Sequence, residues 1–115
     1  MDERVIPLSW TYLESMTESI DIQLCAWGVP TVLRLRVQVV LEELFSALME
    51  VRQGGQEWLR CSYPAPRTLC LQYRLAPEGP PLRLEGLSAL AGEQCTYGVK
   101  VEPGEDCCTI RVGQR

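Results

Sequence analysis

The chain contains no histidine and a single lysine, Lys100. Histidine is the commonest general base near neutral pH and a frequent zinc ligand, so its absence excludes histidine-assisted nucleophiles and histidine-containing zinc patterns. No C-x-x-C pair is present, which removes another common zinc or redox spacing. Paired carboxylates could still perform acid–base chemistry, but the sequence alone does not show that any two of them converge.

A concentrated basic surface is also missing. The net charge is -4 and the arginines are scattered along the chain, which argues against a nucleic-acid partner. No run approaches the roughly 18 apolar residues of a membrane helix. The opening Met1-Asp2-Glu3-Arg4 does not lead into an apolar run as a signal peptide does. We therefore expect a cytoplasmic protein without membrane or nucleic-acid partners.

What is present fits one ordinary globular domain that spans residues 1–115. The chain has 115 residues, of which 46% are hydrophobic and 23% are charged. These values are typical of folded soluble domains, and this length is sufficient for a single hydrophobic core without disulfides or metals.

The six cysteines are interpreted as reduced thiols, most of them buried as small apolar side chains. Only the adjacent pair Cys107-Cys108 is a candidate for redox chemistry. Alternation along a strand would point these two side chains to opposite faces, and whether they have a redox role stays open. The six are Cys25, Cys61, Cys70, Cys95, Cys107 and Cys108.

Two long amphipathic helices are predicted in the first half of the chain. Ser9 is the expected N-cap of the first helix, which should run to about Trp27 and end at the following Gly28-Val29-Pro30. Thr31 is the expected cap of the second helix, which should continue to Val51 before Gln53-Gly54-Gly55 ends it. Apolar residues recur at helical spacing in both segments.

The second half changes to the alternating pattern of strands. The predicted strands are Glu57–Tyr63, Thr68–Leu75, Thr96–Glu102 and Cys107–Val112, with a short helix at Leu87–Glu93. The last two strands should form a hairpin through the turn residues 103–106. The order predicts an α+β fold: a two-layer sandwich in which two long helices and one short helix pack on one face of a mixed, mostly antiparallel sheet of four or five strands.

The same segments carry a family resemblance. Five segments follow one another in the order that is typical of histidine-kinase-like ATPases. They are the opening Ile6-Pro7-Leu8, the helix Leu33–Val51 and the closing segments Leu87–Gly92, Tyr97–Val101 and Thr109–Val112. The chain resembles this superfamily (GHKL), and within it the small branch that includes bacterial anti-sigma-factor serine kinases. The resemblance rests on element order and hydrophobic pattern and covers nearly the whole chain.

The resemblance implies a nucleotide site whose residues can be checked one by one. Glu43 matches the glutamate that serves as general base, but Ala47 stands where the family has a magnesium-binding asparagine. Gly79 matches the glycine of the adenine-binding loop, whereas Pro77 replaces the aspartate that accepts from the adenine amino group. Glu78 is the nearest substitute for that aspartate.

The family's glycine-rich lid over the phosphates also has no counterpart, because only residues 83–88 separate Leu82 from Ala89. Three altered elements imply a degenerate domain that acts as a non-catalytic, protein-binding regulatory module without cofactor or metal. By resemblance, the partner would be a sigma factor or an anti-sigma antagonist, and a homodimer is expected as well. If the site survives, the resemblance implies that ATP and magnesium bind at the positions of Ala47, Glu78 and Gly79, with Glu43 as the catalytic residue.

Two other hypotheses stay open. The chain could be an active ATP-dependent serine/threonine-protein kinase of the anti-sigma type that uses Glu43 and Glu78, or an unrelated small α+β structural domain. The four large aromatic residues of the helices and first long strand are a further ambiguity, because they could form an exposed partner site or belong to the core. These are Trp10, Tyr12, Trp27 and Trp58.

Overall fold

A computed structural model of the chain describes residues 4–82 and 98–113. It confirms the α+β class, with two helices and a five-stranded antiparallel sheet. The elements in chain order are β1 (Arg4–Pro7), α1 (Trp10–Ala26), α2 (Thr31–Val51), β2 (Trp58–Ala65), β3 (Thr68–Arg74), β4 (Val99–Gly104) and β5 (Cys107–Val112).

The sheet has the strand order β1-β2-β3-β5-β4, and every neighbouring pair of described strands is antiparallel. No parallel pair occurs among these strands, so the mixed character expected from the sequence is not seen in the described part of the chain. Strand β1 was not predicted. It exists because Arg4–Pro7 pairs with the first half of β2, in a register from Arg4 opposite Cys61 to Pro7 opposite Trp58.

The helix boundaries agree with the prediction, but their caps differ in detail. Ser9 occupies the N-cap position of α1 without a side-chain capping hydrogen bond. Pro30, and not Thr31, is the N-cap residue of α2, and its carbonyl oxygen accepts from the N–H groups of Leu33 and Arg34 at 3.0 and 3.1 Å. Proline serves this position well because its fixed φ, here -67°, holds the extended conformation that precedes the first turn.

Gly28 ends α1 in a left-handed conformation with φ of 77°. The N–H of Gly28 donates to the carbonyl of Cys25 at 2.9 Å, and the N–H of Val29 donates to that of Leu24 at 3.0 Å. This pair of bonds is a Schellman motif, which satisfies the last carbonyl groups of the helix and favours glycine at its left-handed position. The chain can then turn directly into α2.

One hydrophobic core joins the helices to one face of the sheet. The apolar residues that recur at helical spacing in α2 are buried, together with Phe45, and those of α1 are buried except Trp10. On β3 the alternating residues Leu69, Leu71 and Tyr73 face the same core. Trp10 and Tyr12 are instead about half exposed, at 47% and 50%, so the interpretation of these two as core aromatics is wrong. Trp27 and Trp58 are half-buried.

The predicted hairpin between the last two strands is confirmed, with a correction at its turn. Pro103 and Gly104 belong to β4, so Glu105 and Asp106 alone form the turn, and Asp106 takes a left-handed φ of 58°. The predicted short helix at Leu87–Glu93 lies outside the described residues. Within the described residues, neither helix combines the length and apolar character that crossing a membrane requires.

Candidate functional site

Helix α2 carries the first two residues of the candidate nucleotide site. Glu43 and Ala47 are four residues apart, so they lie on the same side of the helix, and both are half-buried. Glu42 is exposed, as expected for a residue about 100° further around the helix. The arrangement therefore gives Glu43 and Ala47 a common environment that Glu42 does not share.

The loop after β3 approaches the C-terminal end of this helix at Gly79. A Cβ atom placed on Gly79 would lie 3.3 Å from the carbonyl oxygen of Val51 and 3.3 Å from that of Ala76. Both distances are tighter than ordinary contacts of a side-chain carbon. Val51 is one helical turn beyond Ala47 and two turns beyond Glu43, or about 12 Å along the axis. Gly79 therefore lies at the C-terminal end of α2, which is closer along the helix to Ala47 than to Glu43.

Glu78 lies in the loop after β3, next to Gly79. Its side chain is exposed, and with Pro77 it lines a groove formed by the 53–58 segment and the end of β3. Neither Glu43 nor Ala47 is among the described residues that line this groove.

Gly79 also borders a second cavity, between the loop after β3 and the β4–β5 hairpin. Its volume is about 670 Å³, and it is lined by Tyr73, the segments 74–77 and 79–82, Gly104 and Asp106. Asp106 is the only carboxylate among the described residues that line this cavity. Asp106 comes from the hairpin turn and not from the loop where the resemblance places the adenine-binding aspartate.

A polar cluster at the end of α2 is centred on Glu57, which was predicted only as the first residue of a strand. Its side-chain oxygen Oε2 accepts from the N–H of Gln53 at 2.7 Å, and Oε1 accepts from those of Gly54 and Gly55 at 2.9 and 3.1 Å. The residue is 6% exposed. Gly54 has a φ of 81°, which the closed loop requires and glycine readily adopts.

These hydrogen bonds decide the protonation state of Glu57. Burial raises the pKa of the Glu57 carboxyl, but hydrogen bonds from the backbone N–H groups of Gln53, Gly55, Gly54 and Ala76 together lower it by more. The net pKa is therefore below its ordinary value. The carboxylate joins the end of α2 to the loop after β3, because Ala76 belongs to that loop. A signal was present in the sequence: consecutive N–H groups after a helix end need an acceptor, and Glu57 follows Gly54-Gly55 at short range.

The expectation that most cysteines are buried is only partly met: of the five described cysteines two are buried and two, Cys70 and Cys107, are half-buried, while Cys95 lies outside the described residues. Cys108 is fully buried and Cys107 lies half-buried on the other face of β5, so the two point apart as expected. Burial is the main cause that raises the pKa of Cys61 to about 11 and that of Cys108 to about 12, which keeps both thiols protonated. Cys25 is an exception, since it is exposed on α1.

Among the described residues, no group of three or more histidine, cysteine, aspartate or glutamate side chains could hold a metal ion. No protein-family model, no curated protein and no solved structure matches the chain. The GHKL resemblance therefore stands on the residues and the element order described above.

Proposed function

We propose that this chain is a degenerate GHKL-type ATPase domain that acts in the bacterial cytoplasm as a non-catalytic, protein-binding regulatory module. The supporting observation is the close approach of Gly79 to Val51, one helical turn past Ala47. The resemblance assigns both Gly79 and Ala47 to a single nucleotide site, and the geometry brings the loop of the first to the helix of the second. The proposal includes a two-layer sandwich with a third, short helix on the same sheet face.

The same positions explain why nucleotide turnover would be lost. Magnesium requires oxygen ligands, and the methyl group of Ala47 offers none. Pro77 has no side-chain acceptor for an adenine amino group and no backbone N–H. The connection between Leu82 and Ala89 is too short for a lid that surrounds phosphates with N–H groups. A framework that keeps Glu43 and Gly79 but lacks these three elements is expected to bind no cofactor and no metal.

A protein partner is supported by apolar side chains on the outer surfaces of both helices. On α1, Trp10, Tyr12 and Ile22 are 47%, 50% and 64% exposed. On α2, exposed apolar residues recur at helical spacing, which places them on one side of the helix. These are Val32, Leu35 and Val39. Such surfaces are typical of interaction sites, and the resemblance points to a sigma factor, an anti-sigma antagonist or a second copy of the chain as the partner.

Calorimetric titration of ATP with magnesium into the purified chain tests the non-nucleotide part of the proposal. We expect no saturable binding at micromolar nucleotide, and saturation in that range would overturn it. Co-purification with candidate sigma factors and antagonists, and the molar mass in solution, test the partner and the homodimer separately.

The retained, half-buried Glu43 favours one second candidate, an active serine/threonine-protein kinase of the anti-sigma type. This alternative predicts phosphate transfer from ATP to a protein partner that disappears when Glu43 is changed to alanine. Glu42→Ala is the matched control, because the neighbouring carboxylate lies on another side of α2. Absence of transfer at saturating ATP would leave only the non-catalytic proposal.

A further inference from the structure

A separate cavity of about 290 Å³ lies between α1 and the first two strands. Its apolar lining includes Ile6, Met16 and Cys61, and hydroxyl groups of Ser15, Ser19 and Tyr63 also line it. None of the candidate nucleotide-site residues is among the described residues of this lining. The cavity is therefore distinct from the candidate nucleotide site, although Tyr12 and Ile22 of the exposed apolar surface of α1 also line it.

The chemistry of the cavity wall is uncharged. No aspartate, glutamate, lysine or arginine is among the described residues that line it. Its single titratable thiol, Cys61, is 6% exposed, and burial raises its pKa to about 11, so it stays protonated at neutral pH. Part of the lining is exposed, so a charged ligand would keep some of its hydration, but the described wall offers it no opposite charge in exchange for the water that it loses.

We propose that this cavity binds an uncharged small molecule that has one ring and one hydroxyl or amide group. Apolar cavities of about 150 Å³ are known to hold a benzene ring, so the volume here accommodates a ring with a short polar substituent. Ligand sites commonly combine an apolar lining with a few polar groups that orient the ligand. Here the ring would lie against Ile6 and Met16, and the polar group would reach Ser15 or Ser19.

Three probes that share one ring and differ in charge test the inference: benzyl alcohol, benzoate and benzylammonium. Binding is followed by methyl NMR of the full chain, with Met16 as the reporter in the cavity and Met49 on α2 as the control. We expect benzyl alcohol to shift the Met16 signal. The dissociation constants of the two charged probes should be about tenfold or more higher than that of benzyl alcohol. No shift with benzyl alcohol, or equal binding of all three probes, would overturn the proposal.

A blocking variant provides the matched control. Ala26 lines the cavity and is exposed, whereas its neighbour Cys25 is exposed but is not among the described lining residues. We expect Ala26→Phe to abolish the benzyl alcohol response and Cys25→Phe to keep it. Loss of the response in both variants, or in neither, contradicts binding in this cavity.

Thiol modification of the unaltered protein gives an answer even if Ala26→Phe fails to fold. Cys61 and Cys108 are both buried, but only Cys61 borders the cavity among the described lining residues. N-ethylmaleimide, an uncharged reagent, should modify Cys61 faster than Cys108 when each is followed by peptide mass spectrometry. Benzyl alcohol should slow the reaction of Cys61 alone. Equal rates for the two thiols, or no protection, would refute the proposed site.

Discussion

The carboxylate of Glu57 accepts a hydrogen bond of 2.7 Å from the backbone N–H of Gln53, at the point where α2 has just ended. Two further N–H groups of the same loop donate to the other carboxylate oxygen. The buried carboxylate of Glu57 therefore satisfies three backbone N–H groups of the loop that follows α2.

We predict that Glu57→Gln lowers the free energy of unfolding by about 1–3 kcal/mol, because charge-assisted hydrogen bonds to three or more N–H groups are replaced by weaker neutral ones. Urea denaturation followed by circular dichroism measures the change. Glu50→Gln is the control, since Glu50 is exposed on α2 and its change should have little effect. Equal effects of the two substitutions would show that the Glu57 contacts contribute no net stability.

The same carboxylate predicts a pH dependence. Its folded-state pKa is lowered below the ordinary 4.5, so the unfolded chain takes up the proton first as the solution is acidified. The stability from Glu57 is therefore fully present above about pH 4.5 and is lost as the pH falls through the lower, folded-state pKa. The difference in unfolding free energy between the wild type and Glu57→Gln should shrink across this acidic window. A difference that stays constant with pH would contradict the ionised, hydrogen-bonded state of Glu57.

Arg67 provides a prediction about the turn between β2 and β3. It has a left-handed φ of 60°, and its guanidinium donates to the carbonyl of Gly113 and to that of Trp27 at the end of α1. Arg67→Ala should lose these bonds and keep the backbone strain, whereas Arg67→Gly loses the bonds but relieves the strain. We expect the alanine variant to be less stable than the glycine variant by about 1 kcal/mol, with both below the wild type. An alanine variant as stable as the glycine variant would contradict the conformation at this turn.

The close approach of Gly79 to α2 can be tested with a pair of glycine substitutions. Gly79→Ala places a Cβ atom 3.3 Å from two backbone oxygen atoms, which must move apart. At Gly55 a Cβ atom meets nothing within 4 Å, so Gly55→Ala is the matched control. We expect Gly79→Ala to be less stable than Gly55→Ala by about 1 kcal/mol or more in thermal unfolding. Equal melting temperatures of the two variants would contradict the close approach of Gly79 to Val51 on which the proposed function rests.

The helices and the later strands could be predicted because their signals are local. Apolar spacing in α1 and α2 and alternation in β3 and β5 repeat often enough to define both the element and its buried face. Strand β1 could not be predicted, because its four residues become a strand only through pairing with β2. The cap at Pro30 was missed because Thr31 satisfied the usual side-chain rule, while the structure uses only the conformation of the proline.

The candidate site was partly predictable for the same reason. Glu43 and Ala47 share a side of one helix, which spacing alone establishes. The position of Gly79 against Val51 depends on how a loop packs on a distant helix. The hydrogen bonds of Glu57 link a helix end to the following loop and to Ala76, and the link to Ala76 depends on tertiary packing.

The most direct test of the proposed function is a calorimetric titration of ATP with magnesium into the wild type and into the double variant Ala47→Asn, Pro77→Asp. The double variant returns the metal-binding amide and the adenine-binding carboxylate that the resemblance assigns to these positions. We predict no saturable binding by the wild type and a measurable gain of binding by the double variant. Micromolar binding by the wild type would contradict the loss of nucleotide chemistry, and no gain in a folded double variant would contradict the assignment of these positions to a nucleotide site.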